Sequence, residues 1–380
     1  MADGAKQYEV VMAVNYYTPY VSGLTDTARM LAEELVRRGH SVAVVACRHD
    51  SSLPLHETLN GVDVFRSRVV ARIGKGLISP GFPSLVARIA KRGKVLNLHA
   101  PMIESGVVAT MARKTPLVVT YHCDVMLAPG LVNATQTRVM DRSNTIAIRR
   151  SAVTVPSSDD YARSSRLARD LLAKSQPIAP PTRLYERVEP AYRETGGLHV
   201  GFLGRIVEEK GLEFLVEGFR HLPDPNARLL IGGDYAKVAG GSVVDTVRQA
   251  AGSDPRIRIL GFVPDEAIPS FYSSLDVFAL PSVNALEAFG IVQVEAMKMG
   301  VASMASDLPG VRIPVQRTGF GQVIAPRDPA AVHTALERFA AGALDSAAGA
   351  QRTNELYSLA RTVDEYEAAF AKAIAIASAP

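Results

Sequence analysis

Glu287 and Glu295 stand eight positions apart in the segment PSVNALEAFGIVQVEAMKMG. On one continuous helix their Cα atoms would lie ~12 Å apart, too far to share a proton but suited to two grips on one long ligand. The Phe289-Gly290 step ahead of an apolar run puts Glu287 on an entering loop and Glu295 on the helix that follows. A helix start there offers backbone N–H groups and the positive end of the helix dipole to an anion such as a diphosphate. Bare spacing fits equally a solvated Glu and a capping Glu. Arg205 and Lys210, in GFLGRIVEEKG, follow an apolar strand-like stretch. Two cations at a strand end can neutralise a diphosphate and stabilise it as it departs; they could equally face solvent or pair with Glu208 and Glu209. His122 and Asp124 end another apolar run, VVTYHCD, and His99 ends LNLHAP. Asp124 could orient His122, contact a second substrate, or cap the next element; His99 is read as structural.

These residues need a scaffold that brings strand ends together. YEVVMAV, SVAVVAC, VLNLH, PLVVTYH and AVTVP read as strands, with DTARMLAEELVRRG a helix stopped at Gly39. The alternation breaks over residues 176–197, where Pro and Gly crowd a stretch without periodicity. It restarts with LHVGFLG, ARLLIGG, IRILG, DVFAL and VASMAS as strands. GLEFLVEGFRHL, VVDTVRQAA, EAIPSFYSS and IVQVEAMKMG lie between them as helices. Such alternation specifies α/β architecture with parallel sheets. A chain of 380 residues fits two such domains. Ligands of doubly wound sheets sit beyond the carboxyl ends of the strands, so a cleft between the two domains is the expected site. TVDEYEAAFAKAIAIA reads as a terminal helix.

Composition excludes several classes. Hydrophobic residues make up 47% and charged residues 21%, which is globular and not disordered. No apolar run approaches a membrane span, and the first residues do not read as a signal peptide. Cys47 and Cys123 share no metal-ligand or disulfide-framework spacing. No metal and no cofactor is expected, and the location expected is cytoplasmic. Residues 1–190 carry 25 Lys and Arg against 16 Asp and Glu, whereas residues 191–380 carry 17 against 22. The basic first half is suited to an anionic partner, including a membrane surface. Its cations are scattered without an aromatic-rich motif, which argues against nucleic acid. The order KG, in place of GK[ST], argues against a P-loop, and the lack of GxGxxG removes the main support for a dinucleotide site.

The block E-AFGIVQV-E followed by AMKMG, with DVFALPS before it, resembles the E-x7-E motif of glycosyltransferase family 4. That motif usually reads E-[SGA]-F-G-x3-x-E-A-M-A-x-G. RIVEEKG is similar to the family's G-R-x4-K-G segment, and NYYTPYVSGLTDTARMLAEELVRRGHSV to its first loop and helix. The resemblance spans nearly the whole chain, with residues 50–95 unmatched. It implies a GT-B fold: two Rossmann-like doubly wound domains facing across a cleft, with a C-terminal helix crossing back to the N-terminal domain. The boundaries it implies are 1–185 for an acceptor domain, 186–360 for a nucleotide-sugar domain and 361–380 for the crossing helix. The implied activity is retaining, metal-independent transfer of a hexose from a UDP- or GDP-sugar to a hydroxyl acceptor such as a lipid-linked or polysaccharide precursor.

By the same resemblance Glu287 contacts sugar hydroxyls and Glu295 the ribose, while Phe289, Gly290 and Ile291 meet the sugar and phosphates. Arg205 and Lys210 bind the diphosphate. Gly23 approaches the donor phosphate, His122 contacts the sugar, and Val263 reads the base. Three departures stand out: Ser22 replaces the family's first glycine, DLPGVR is unlike the usual G-G-x-x-E, and the terminal helix lacks the family's frequent Trp. A nucleotide-sugar epimerase of the same fold and a non-catalytic nucleotide-sugar-binding subunit are the rival readings.

Overall fold

In a computed structural model of the chain, residues 6–73, 76–127, 130–235, 241–342 and 344–379 are described. They divide into two compact units, residues 1–181 with 360–380, and residues 182–359. Each is a parallel sheet between helices.

The first unit holds β1 (Tyr8–Ala13), β2 (Val42–Cys47), β3 (His56–Leu59), β4 (Val62–Ser67), a small hairpin of β5 (Ala71–Ile73) and β6 (Gly76–Ile78), β7 (Gly93–Ala100), β8 (Leu117–Tyr121) and β9 (Val153–Pro156). The main sheet runs β3-β4-β2-β1-β7-β8-β9, all parallel except β3. All six residues of β2 are buried, as expected of a strand covered on both faces. The helix Gly23–Arg37 buries Ala28, Leu31, Ala32 and Leu35, a 3.6-residue stripe. Ser22 is its N-cap, with Oγ accepting from the Thr25 amide at 3.2 Å. The Ser that replaces the family's glycine therefore satisfies one of the helix's orphan donors.

The terminal helix Leu359–Ser378 belongs to this unit. Arg38 donates to Asp364 at 2.6 Å and to Glu367 at 2.9 Å, and His40 lies between Glu9 and Glu367 at 2.8 and 2.9 Å. Burial works to lower the His40 pKa, but its hydrogen bonds to the two carboxylates outweigh it and the pKa is raised. Tyr366 and Phe370 fill the buried face of the helix.

The second unit holds β10 (His199–Leu203), β11 (Arg228–Gly232), β12 (Ile257–Gly261), β13 (Val277–Leu280), β14 (Ala302–Ser306) and β15 (Gly321–Ile324), ordered β12-β11-β10-β13-β14-β15 and parallel throughout. Its strands feed two cores by alternation. Leu229 and Ile231 join Phe202, Phe219 and Met304 on one face; Leu230 joins Phe271, Tyr272, Phe278 and Leu280 on the other.

The stretch 176–197 contains no regular element, as the sequence pattern predicts. The boundary, however, falls after Pro181 and not after 185, and the second boundary falls after Leu359. The reason lies in hydrogen bonding: Thr182 and Arg183 are already bonded to Lys298 and Glu295 of the second unit, and residues 187–193 continue the attachment. Arg187 Nε donates to the Met299 carbonyl at 2.9 Å, the Val188, Ala191 and Tyr192 amides donate to Ser273, Ser270 and Ser274, and Arg193 pairs with Asp276.

Candidate active site

In the second sheet the strand order reverses direction between β10 and β13. Loops leaving the carboxyl ends of two such strands diverge and open a crevice, the usual ligand position in this architecture. Arg205 and Lys210 lie on the loop after β10, and Glu287 on the loop after β13, so the fold delivers both motifs to the same switch point.

The loop after β10 closes in a single 3-10 turn, Glu208–Lys210, followed by Gly211 at φ +59°. A Cβ on Gly211 would stand 2.5 Å from the Pro281 carbonyl oxygen. The loop is thus pressed against the start of the β13 loop, and only glycine allows both the backbone and the approach. That contact brings Lys210 Nζ onto Glu287 Oε2. The second oxygen of Glu287 accepts from the Gly290 amide at 3.1 Å. Gly290, at φ +80°, begins the helix Ile291–Lys298. The amides of Ile291 and its neighbour in the first turn have no intrahelical acceptor. Arg205, on the same loop as Lys210, pairs with Glu209 at 3.1 Å, and nearly half of its side chain is exposed.

The loop 281–290 is tied down by contacts that reach below the surface. Asn284 Oδ1 accepts from the Leu286 amide at 3.1 Å. Phe289 is buried, with its ring edge-on to Tyr357, so it offers backbone rather than side chain to a ligand. Gln293, fully buried, donates to the Phe289 and Val311 carbonyls at 2.8 Å each and accepts from Ser303 at 3.0 Å. It ties the loop to DLPGVR and to β14. Sequence reading did not single out Gln293; a polar residue on an otherwise apolar helix face was its only signal.

Glu295 lies on the helix, as its spacing predicts, and is 7% exposed. Its Oε1 accepts from the Arg183 amide at 3.1 Å. Lys298, one turn on, is also buried and donates to the Thr182 carbonyl at 3.1 Å and to its hydroxyl at 2.5 Å. Burial pulls the Lys298 pKa down to about 8, against the raising effect of Glu295. Val263 is buried behind Gly232, near the end of β11. The structure therefore joins Lys210, Glu287 and Gly290 directly, pairs Arg205 with Glu209 on the same loop, and places Glu295 against Arg183 and Val263 against Gly232.

In the first unit the switch point lies between β1 and β7. Gly23 is exposed at the first position of the helix that follows β1. His122 follows β8, and its Nε2 is 2.9 Å from Nδ1 of His99, at the end of β7. Asp124 does not orient His122. Its carboxylate accepts from the Tyr121 hydroxyl and Ser165 Oγ at 2.7 Å each and from the Arg166 amide at 2.9 Å, and its own amide donates to Tyr161. It knots two loops together, and the reading of Asp124 as a residue that orients His122 is corrected: the neighbour bonded to His122 is His99. Glu104, just after β7, also escaped sequence reading. Burial raises its pKa, partly offset by a hydrogen bond from Asn15, which follows β1.

No group of three or more His, Cys, Asp or Glu side chains placed to hold a metal ion occurs among the described residues. No helix among them is long and apolar enough to cross a membrane.

Two Rossmann-like doubly wound domains with the second switch point so furnished define a glycosyltransferase of the GT-B class. Residues 22–174 match the family described as "Glycosyl transferase 4-like domain", and residues 197–341 match "Glycosyl transferases group 1". The chain is similar to the phosphatidyl-myo-inositol mannosyltransferase of Mycobacterium leprae, 29% identical over 86% of each chain. Among solved structures it resembles the sucrose-phosphate synthase of Thermosynechococcus elongatus, with a TM-score of 0.78, 18% identity and coverage of 97% of this chain and 100% of that one. It also resembles Anabaena Alr3699/HepE, solved in complex with UDP-glucose, with a TM-score of 0.71, 18% identity and coverage of 96% and 100%. The chain belongs to glycosyltransferase family 4.

Proposed function

We propose that this glycosyltransferase moves a hexose from a UDP- or GDP-sugar to a hydroxyl acceptor, with retention of anomeric configuration and without a metal ion. The observation that carries the reading is the Lys210–Glu287–Gly290 group at the β10/β13 switch point, with Arg205 on the same loop as Lys210. In this reading the donor diphosphate takes the place of Glu287 as the anion facing Lys210. Arg205 and the Gly290 and Ile291 amides supply further positive charge and donors, the work a divalent cation performs elsewhere. Glu287, released from Lys210, turns to the sugar hydroxyls. Glu295 takes the ribose, Phe289 offers its backbone, and Val263 and Gly23 keep the base and phosphate contacts assigned by resemblance. The acceptor hydroxyl forms its bond to the anomeric carbon on the face from which the phosphate oxygen departs. That oxygen receives the hydroxyl proton, and the nucleoside diphosphate leaves.

A lipid-linked acceptor at the cytoplasmic face of a membrane is supported by the similarity to an enzyme named for phosphatidyl-myo-inositol. The basic first half supports it too. Met126, Leu127, Leu131 and Val132 are exposed around the start of the helix Leu131–Arg150, which also exposes Arg138, Arg142, Arg149 and Arg150. Apolar side chains flanked by arginines suit an anionic lipid surface. Salt-sensitive binding to anionic liposomes tests that part.

For the reaction itself, the protein is incubated in EDTA with radiolabelled UDP-glucose or GDP-mannose and a panel of polyol and lipid-linked acceptors. Label transferred in step with nucleoside diphosphate release, to a product with the donor's anomeric configuration, is expected. Inverted product, or sugar interconversion without an acceptor, refutes the reading.

A further inference from the structure

Strand alternation sets a line of polar side chains on one buried face of the first sheet: Asn97 and His99 on β7, Thr120 on β8, and His122 two residues further. Asn97 donates to Thr120 at 2.9 Å, and Thr120 meets the Tyr366 hydroxyl of the terminal helix at 3.3 Å. The two imidazoles at the end of this line bond to each other, His99 Nδ1 to His122 Nε2 at 2.9 Å, with ring centroids 5.1 Å apart. His99 has no exposed surface, and its Nε2 is buried with no hydrogen-bond partner among the described residues. His122 keeps part of its surface exposed.

One proton occupies the bond, and only two arrangements exist. If His122 Nε2–H were the donor, His99 would carry its own proton on Nε2, a buried N–H with no acceptor, which folded proteins rarely tolerate. If His99 Nδ1–H is the donor, the orphan is a lone pair, a smaller penalty. We infer that His99 is a positioning residue: it donates its Nδ1 proton to His122 Nε2 and so fixes His122 as the tautomer that carries its remaining proton on Nδ1. His122 then meets a ligand as a hydrogen-bond donor and not as a base. Burial supports this by pushing the His122 pKa down to about 4 and holding His99 well below its ordinary value, so that neither ring carries a second proton near neutrality. A donor N–H suits a sugar hydroxyl oxygen. The functional side of this inference rests on the contact with the donor sugar that the family resemblance implies for His122; the tautomer does not.

The test follows that division. Long-range ¹H–¹⁵N correlation on protein labelled at histidine, with His99→Leu and His122→Leu assigning the two rings, is expected to show His122 protonated on Nδ1 and bare on Nε2. Protonation on His122 Nε2 overturns the inference. In transfer assays His99→Leu should lower kcat about ten-fold with little change in KM for the donor, the effect of one mispositioned hydrogen bond. His99→Asn, whose amide N–H can stand where Nδ1–H stood, should restore most of that loss. Equal loss in both variants, or none in His99→Leu, overturns the positioning role. A wild-type rate in His122→Leu would instead refute the reading of His122 as a sugar contact, while the spectra still decide the tautomer.

Discussion

Lys210 and Glu287 come from loops 77 residues apart, and the side chains are only 14% and 18% exposed. Two unit charges about 4 Å apart attract by about 4 kcal/mol at an effective dielectric near 20. Desolvation removes a large share of that. Exposed pairs couple by about 0.2–1 kcal/mol, and removing one partner of a fully buried pair costs about 3–5 kcal/mol. This pair stands between those limits, because Glu287 also keeps the Gly290 amide. The expectation is a coupling energy of about 1–3 kcal/mol between Lys210→Met and Glu287→Gln. Each single variant should lose more stability than the double variant implies, since each strands a half-buried polar partner. Urea unfolding of the wild type, both single variants and the double variant, followed by circular dichroism, supplies the cycle. Coupling within about 0.3 kcal/mol of zero would show that the two loops are not linked through these charges and would refute the reasoning.

Other expectations follow from individual contacts. In Gly290→Ala the new Cβ would meet Leu280 Cδ2 at 2.4 Å and Gln293 Nε2 at 2.6 Å at a φ of +80°; thermal unfolding should show a loss of about 2–4 kcal/mol, the strain of a left-handed residue plus overpacking. Ser22→Ala should cost about 1 kcal/mol by the same measurement, because the Thr25 amide loses its cap. Lys298 has a folded pKa near 8, below its unfolded value of 10.5, so the unfolded chain binds more protons between those limits. Stability should therefore rise from pH 8 toward pH 9.5 in the wild type, by at most about 1.4 kcal/mol per unit. Lys298→Met should lack that rise in urea titrations at each pH, and an identical pH slope in both proteins would contradict the burial argument.

Most of the strands that sequence revealed are buried on both faces, although IRILG forms β12 with all five residues only partly buried. VAVVAC, DVFAL and VASMAS are continuous apolar runs, which only a covered parallel strand needs. β15, a four-residue edge strand, buries Ile324 alone and carries no such run. The β3–β4 hairpin did leave a mark: Asn60 and Gly61 both take positive φ, at 49° and 83°, the two-residue turn that Asn-Gly favours. It went unread because the flanking residues, half exposed on β3, do not alternate sharply. At the site, Glu287, Lys210 and Arg205 were legible because motif spacing survives in one dimension. The Lys210–Glu287 bond was not, since it depends on the close approach of Gly211 to Pro281 from a distant loop. The partners of Asp124 were not legible for the same reason: Ser165 and Arg166, which claim its carboxylate, lie some forty residues away. The domain boundary lies four residues earlier than the resemblance implies, because the bonds of Thr182 and Arg183 to Lys298 and Glu295 join residues more than a hundred positions apart.

Calorimetric titration of the protein with UDP-glucose and with GDP-mannose, in EDTA, tests the central claim that the β10/β13 switch point holds an activated sugar through its own cations. One of the two donors is expected to bind the wild type without metal, and Arg205→Ala and Lys210→Ala are each expected to weaken it about ten-fold or more. Undiminished affinity in both variants, or binding only when a divalent cation is restored, would contradict that claim.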